Sequence, residues 1–356
     1  MLLYVGGYNP SGTPSIQGLK LIQSANQTEF KPIATDNQLD NASYLLYVAS
    51  IKQLFAVSEI NNADGANSGW VAQYDLTQPQ QPKLVARQLS QGGNPCHLAW
   101  LNQHLICSNY SGGNFADFNT KHSVELLPAQ TCIQHSGSSV ISDRQSQAHV
   151  HSVTASPDNA FFVVADLGAD KLVSYRFSQT GAIEQVFSLT MPAGSGPRHC
   201  AFHPNGKSLY VANELNNTIS QVQVNPTTGE LALCATLPAL APNNSNHSYP
   251  AEVLVDQQGK FVYLSNRGDD SISCFTIAPN SQALSFRSSC STGGQFPRHF
   301  ALSPNQDFIV VANQQSDNIR LLNRDRHSGA LTLTETLFAV NAPSCVCFIT
   351  NESSLP

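Results

Sequence analysis

PRHCAFHPNGKSLYVANELNNTISQVQV (residues 197–224) and PRHFALSPNQDFIVVANQQSDNIRLLNR (297–324) are two copies of one unit, and what they share decides the fold. Each opens on a short apolar strand, turns at Pro-Asn, returns through a second strand closing on Asn213 or Asn313, and enters a third. HSVTASPDNAFFVVADLGADKLVSYRF (151–177) and AEVLVDQQGKFVYLSNRGDDSISCFTI (251–277) repeat the pattern, with Asp166 and Asn266 as the closing residue. Weaker copies put that mark at Asn109, Ser58 and Gly7. The seven marks are separated by 51, 51, 57, 47, 53 and 47 residues.

Seven four-stranded units at this period predict an all-β fold, a seven-bladed β-propeller formed as one domain over residues 1–356. A helical solenoid is the competitor at such a period, but the apolar positions alternate with period two rather than 3.6. The chain enters at a second strand, LLYVGG (2–7), and APSCVCFIT (342–350) reads as a first strand without a second. Pairing of the two predicts a ring closed by main-chain hydrogen bonds, with both orphan edges covered.

Of the 356 residues 41% are hydrophobic and 12% charged, the latter about half the usual share of roughly 25%. Net charge is −6, from 18 Lys+Arg against 24 Asp+Glu, with no basic run. That excludes a nucleic-acid partner but permits a small anionic substrate, which two or three arginines can hold. The nine cysteines are scattered, odd in number and without a CxxC pair, which predicts reduced thiols. No basic leader and no apolar stretch near ~20 residues is present, so a cytoplasmic protein off the membrane is expected. Monomer is expected too, because a closed ring leaves no strand edge to share.

In a blade, the start of strand one and the end of strand two lie on the same face of the disc. Residues just after the marks include Tyr8, Glu59, Tyr110, Glu214, Arg267 and Gln314. Those entering strand one include Cys96, His151, Arg198 and Arg298, followed one step on by Tyr44, His97, His199, Glu252 and His299. Arginines, histidines and glutamates thus converge on one axial mouth, a polar anion-binding arrangement.

His149 and His151 in QAHVHSV, two apart, are expected on one face of a strand. Such a pair can hold a metal, but no third carboxylate has suitable spacing, so hydrogen bonding to substrate is the expected role and no metal or cofactor is assigned. GSGPRH (194–199) lacks the Lys-Ser/Thr and helix of a phosphate loop. Cys96 and His97 are adjacent along a strand and expected on opposite faces, which argues against a nucleophilic triad. Asp170, Asp270 and Asp317 are expected in tight turns.

The strings HVHSV (149–153), GSGPRHCAFHPNGKSLYVANELNNTISQV (194–222), YPAEVLV (249–255), LSNRGDDSISCFTI (264–277) and FPRHFALSP (296–304) closely resemble the seven-bladed propeller lactonase family. That group includes cycloisomerase-2-type 6-phosphogluconolactonase and carboxy-cis,cis-muconate cyclase. The resemblance spans essentially the whole chain and implies His149 (with His151 nearby), Arg198, Glu214 and Arg267 as catalytic residues. Arg298, His97, His199 and Glu252 are added as substrate-binding residues from their place in the repeat. The implied reaction is metal-independent opening of a small anionic sugar lactone, 6-phospho-D-glucono-1,5-lactone to 6-phosphogluconate of the pentose phosphate pathway. In it the arginines hold the anion or oxyanion, and Glu214, His149 or His151 takes the proton from water. A muconate-type cycloisomerase and a non-catalytic propeller scaffold are the alternatives.

Overall fold

The computed structural model describes residues 1–10, 12–24, 28–121 and 125–350. They form seven four-stranded antiparallel sheets. Blade I joins Pro343–Ile349 to Leu2–Gly7, Ile16–Gln23 and Thr28–Asp36, so its strands come from both ends of the chain. Blades II to VII follow in order over residues 45–89, 95–134, 150–190, 197–238, 249–291 and 297–339. Leu2–Gly7 pairs antiparallel with Pro343–Ile349 on one side and Ile16–Gln23 on the other, the ring closure expected from the two chain ends. Each innermost strand touches the next all the way round.

Strand two of each blade explains why the repeat is so apolar. In Ser208–Asn213 of blade V, Leu209 and Val211 pack on Val163 and Ala165 of blade IV. The intervening Tyr210 and Ala212 pack on Val262 and Leu264 of blade VI. Side chains alternate across a strand, so a strand between two neighbours must be apolar on both faces. Seven such clusters among the described residues make up the core, one between each pair of adjacent blades. A fully buried Leu or Val contributes about 1.5–3 kcal/mol. Tyrosines on strand two also reach across: Tyr4, Tyr210 and Tyr263 donate to the carbonyls of Pro79, Gln282 and Gly329 of the following blade, at 2.7, 2.9 and 2.9 Å.

Three turn aspartates clip blades together at the rim. Asp170, Asp270 and Asp317 sit at φ of 48, 57 and 51°, left-handed positions that Asp tolerates better than most residues. Asp170 accepts N–H bonds from Gly194 (2.6 Å) and Gly196 (2.7 Å) of the loop entering blade V. Asp270 and Asp317 accept likewise from Phe296 and Ala342, at 2.7 and 2.8 Å. The anion held by GSGPRH is therefore Asp170 of the chain itself. Gly196, at φ 61°, has no room for a side chain, because a Cβ there would lie 2.4 Å from Leu215.

At the start of strand one the register slips. The pairing jumps between Pro95 and His97, Val150 and Ser152, Pro197 and His199, and Pro297 and His299. In each case two residues of strand one oppose a single residue of strand two, a β-bulge, and strict alternation fails. This corrects the expectation for Cys96 and His97. Cys96 Sγ lies 4.0 Å from His151 Nδ1, while the His97 ring packs 5.0 Å from His199, which itself lies 5.2 Å from His151. Both side chains therefore join one axial cluster. His149 lies ahead of the strand Val150–Ala155 and His151 on its bulge, so strand alternation does not place them; contact with Tyr110 does.

Candidate active site

The bulge lets consecutive residues fill two layers of the mouth. In the upper layer Glu214 follows the strand Ser208–Asn213 and is surrounded by guanidinium groups. Its Oε1 accepts from Arg144 Nη2 at 2.5 Å, and its Oε2 accepts from Arg267 Nη2 at 2.7 Å and lies 3.1 Å from Arg198 Nε. Main-chain carbonyls of blade VI fix two of these arginines. Arg198 Nη1 donates to Ala251 O at 2.9 Å and Arg267 Nε to Tyr249 O at 3.1 Å. Around the rim, Arg298 Nη2 donates to the Tyr8 hydroxyl at 2.7 Å, and that hydroxyl donates to Glu59 Oε2 at 2.6 Å.

His149 stacks on Tyr110 with ring centroids 4.4 Å apart, and its Nδ1 lies 2.9 Å from Tyr110 O. A carbonyl only accepts, so Nδ1 carries the proton and Nε2 keeps a lone pair. The Tyr110 hydroxyl accepts from Arg144 Nη2 at 3.3 Å, which ties the histidine's support to the Glu214 cluster.

The lower layer is a plug in which Tyr44 packs against the rings of His97, His199 and His299, with Glu252 bonded among the histidines. His199 Nδ1 donates to Glu252 Oε2 at 2.8 Å, and His299 Nε2 lies 3.3 Å from the same oxygen. His97 and His299 each accept a main-chain N–H at Nδ1, from Val153 (3.4 Å) and Val346 (3.3 Å), leaving the proton on Nε2. His97 also lies 4.3 Å from the Tyr44 ring. His199 and His299 turn N–H groups toward Glu252 rather than lone pairs toward a shared point, and no group among the described residues is arranged to hold a metal ion. His199 Nε2 is buried without a partner among the described residues.

Burial alone would raise the Glu214 carboxyl, but Arg267, Arg198 and Arg144 overcome it and hold the group well below the usual carboxylate range. Burial, with Arg267 and Arg298 close by, brings Arg198 down to about 10. Burial also pushes His97, His151 and His199 well below their ordinary value, aided by neighbouring arginines and histidines, and lowers His299. Glu252 moves up, because burial outweighs His299 and Arg198. The Cys96 thiol is pushed up by burial and then by Glu59, a poor setting for a thiolate nucleophile. The mouth thus combines a fixed carboxylate, several guanidinium groups and neutral imidazoles.

A family profile described as "Lactonase, 7-bladed beta-propeller" matches residues 2–348. The chain belongs to this lactonase family. It is 32% identical over 349 residues to the 6-phosphogluconolactonase of Bacillus subtilis (strain 168), covering 97% of each chain. The structure superposes on the periplasmic gluconolactonase of Pseudomonas aeruginosa with a TM-score of 0.89, at 28% identity over 98% of this chain and 99% of the other. A Lactobacillus plantarum protein of solved structure gives a TM-score of 0.87 at 28% identity, with 98% and 99% covered.

In this lactonase Arg198, Glu214 and Arg267 meet in one ion cluster, and His199 and Glu252 bond to each other beneath it. His97 and His151 join the same ring of imidazoles through His199. Arg298 stands beside the cluster but is bonded to Tyr8, and His149 reaches it only through Tyr110 and Arg144.

Arg144 is the residue that the sequence reading missed. It lies on the short helix Ser142–Gln145 in the link between blades III and IV, where no repeat position points to it. The one available signal was the gap of 57 residues between Asn109 and Asp166, the longest of the six. The extra chain there is what carries Arg144 over the mouth.

Proposed function

We propose that this lactonase hydrolyses a sugar-acid lactone, with 6-phospho-D-glucono-1,5-lactone as substrate and 6-phosphogluconate as product. One observation carries the reading: a histidine with its Nδ1 proton committed to a carbonyl is linked through Tyr110 and Arg144 to a buried pair of arginines on Glu214. The family and the name of the Bacillus subtilis relative support the substrate class.

Water attacks the lactone carbonyl and gives up its proton to His149 Nε2, a step worth roughly 10²–10⁴ in rate. Arg198 and Arg267 stabilise the oxyanion, an effect of about 10²–10³ for a single well-placed donor. Both guanidinium groups are already oriented by Ala251 O, Tyr249 O and Glu214, so little reorganisation accompanies the reaction. Glu214 orients those arginines and does not act as the base, because Arg144 and Arg267 donate to its two oxygens and the Arg198 guanidinium lies against it. The protonated His149 then returns its proton to the ring oxygen as the carbon–oxygen bond breaks. His151, buried and neutral, packs beneath Tyr110 and supports the base. The chemistry of this proposal runs without a metal or cofactor. As part of this proposal the protein acts in the cytoplasm as a monomer, in keeping with its nine free cysteines.

Acid release from 6-phospho-D-glucono-1,5-lactone, followed in a lightly buffered indicator assay, tests the reading. Turnover well above the spontaneous rate is expected for the wild type and not for Arg198→Ala. A wild-type rate equal to background overturns it.

A further inference from the structure

We propose that Arg298 selects lactones bearing a phosphate monoester, and that Gln314 leaves it free to do so. The proposal rests on the lactonase reading above and names which substrate class the mouth takes.

The repeat itself supplies the comparison. Arg198 and Arg298 occupy the same bulge position in two near-identical entries, Pro197-Arg198-His199 and Pro297-Arg298-His299. Each blade then closes on an asparagine and one further residue, Asn213-Glu214 in blade V and Asn313-Gln314 in blade VII. In blade V that residue is a carboxylate 3.1 Å from the arginine. In blade VII it is an amide, and its Oε1 is buried with no hydrogen-bond partner among the described residues.

Arg298 accordingly forms no direct ion pair among the described residues. It donates to the uncharged Tyr8 hydroxyl, whose own proton is committed to Glu59 Oε2, and its guanidinium lies 5.1 Å from the centre of the Tyr8 ring. A guanidinium has five N–H donors in a planar fork, and Arg298 directs one of its nitrogens at Tyr8. The remaining donors suit a tetrahedral oxyanion held at more than one oxygen.

The charge of the upper layer also favours an anion. Arg144, Arg198, Arg267 and Arg298 face Glu59 and Glu214 there, so two positive charges are in excess. The imidazoles below are neutral near pH 7. With the Glu252 carboxylate below, one positive charge remains in excess over the two layers, so the mouth attracts an anion, and the uncommitted donors of Arg298 rather than the charge count favour the tetrahedral phosphate monoester.

The test compares two variants, Arg298→Gln and Gln314→Glu, with the wild type. The kinetic readout is the ratio of kcat/KM for 6-phosphoglucono-δ-lactone to that for glucono-δ-lactone. Each variant should lower this ratio by about 10- to 100-fold, as expected for losing charge-assisted hydrogen bonds to the phosphate. Gln314→Glu keeps the arginine but gives it the partner that Arg198 has, so it separates loss of free charge from loss of the side chain. A ratio unchanged in both folded variants overturns the proposal, even if both activities fall together.

Calorimetric titration with 6-phosphogluconate, gluconate and glucarate, each without turnover, provides the second readout. Wild type should bind 6-phosphogluconate well above the other two, and Arg298→Gln should erase the difference. Glucarate binding as tightly as 6-phosphogluconate overturns the phosphate assignment in favour of a carboxylate. If neither lactone is hydrolysed, the hydrolase reading fails, while the titrations still decide the role of Arg298.

Discussion

Glu252 accepts the Nδ1 proton of His199 at 2.8 Å, and its other oxygen accepts the main-chain N–H of Val253 at 3.2 Å. At the equivalent step of blades IV and I, the N–H groups of Val153 and Val346 go instead to Nδ1 of His97 and His299 in the preceding blade. By taking the N–H of Val253, Glu252 leaves His199 with the opposite tautomer.

Nitrogen-proton correlation spectra near neutral pH should therefore show His149 and His199 protonated at Nδ1, and His97 and His299 at Nε2. Replacing Glu252 with Gln should cost about 1–3 kcal/mol of stability in urea unfolding, because a buried donor loses its carboxylate. Finding all four rings in one tautomer would contradict the plug described above.

Glu214→Gln leaves three guanidinium groups without their shared counter-charge. Breaking a buried ion cluster from one side costs about 3–5 kcal/mol, so the variant should unfold at clearly lower denaturant and lose most activity. Stability equal to wild type would show that the cluster is solvated and contributes little.

His149→Gln should reduce kcat roughly 10²–10⁴-fold with little change in KM, the signature of a lost general base. Tyr110→Phe keeps the stacked ring and the carbonyl that holds Nδ1 but removes the hydroxyl bonded to Arg144. Its effect on kcat should be far smaller. Equal losses in the two variants would make His149 a support rather than the base.

Acidification should destabilise the protein early. His97, His151, His199 and His299 are held below their ordinary value in the fold, so the unfolded chain binds protons first as pH falls from 7 toward 5.5. Stability is greatest above the ordinary histidine value and declines below it. Glu252, shifted upward, takes up a proton in the fold before it would in the unfolded chain. It opposes this over the window that begins at the ordinary carboxylate value and extends above it. The melting temperature should drop with uptake of more than one proton on unfolding, and His97→Gln should flatten the slope. A melting temperature flat between pH 7 and 5.5 would exclude buried neutral imidazoles.

The propeller was legible because one physical demand recurs seven times. Strand two must be apolar on both faces to fill the gaps to both neighbours, as Leu209 and Val211 or Tyr210 and Ala212 do. That demand writes a repeat into the sequence, and the closing polar residue marks its register. The same periodicity puts Arg198, Glu214, Arg267 and Arg298 at the axial ends of their strands. It could not place Arg144, whose link belongs to no blade, and it misplaced Cys96 relative to His97.

The sequence alone determined the number of blades, the closure of Leu2–Gly7 with Pro343–Ile349, and which blade residues lie at the axial ends of their strands, since all of these follow from strand periodicity. Tertiary structure decided what those residues do to one another. The bulge that turns Arg198 and His199 toward the axis together and the three arginines on Glu214 arise between segments far apart in the chain. So do the tautomers of the buried histidines. Hydrogen-bond geometry across blades depends on fractions of an ångström, and no repeat length records it.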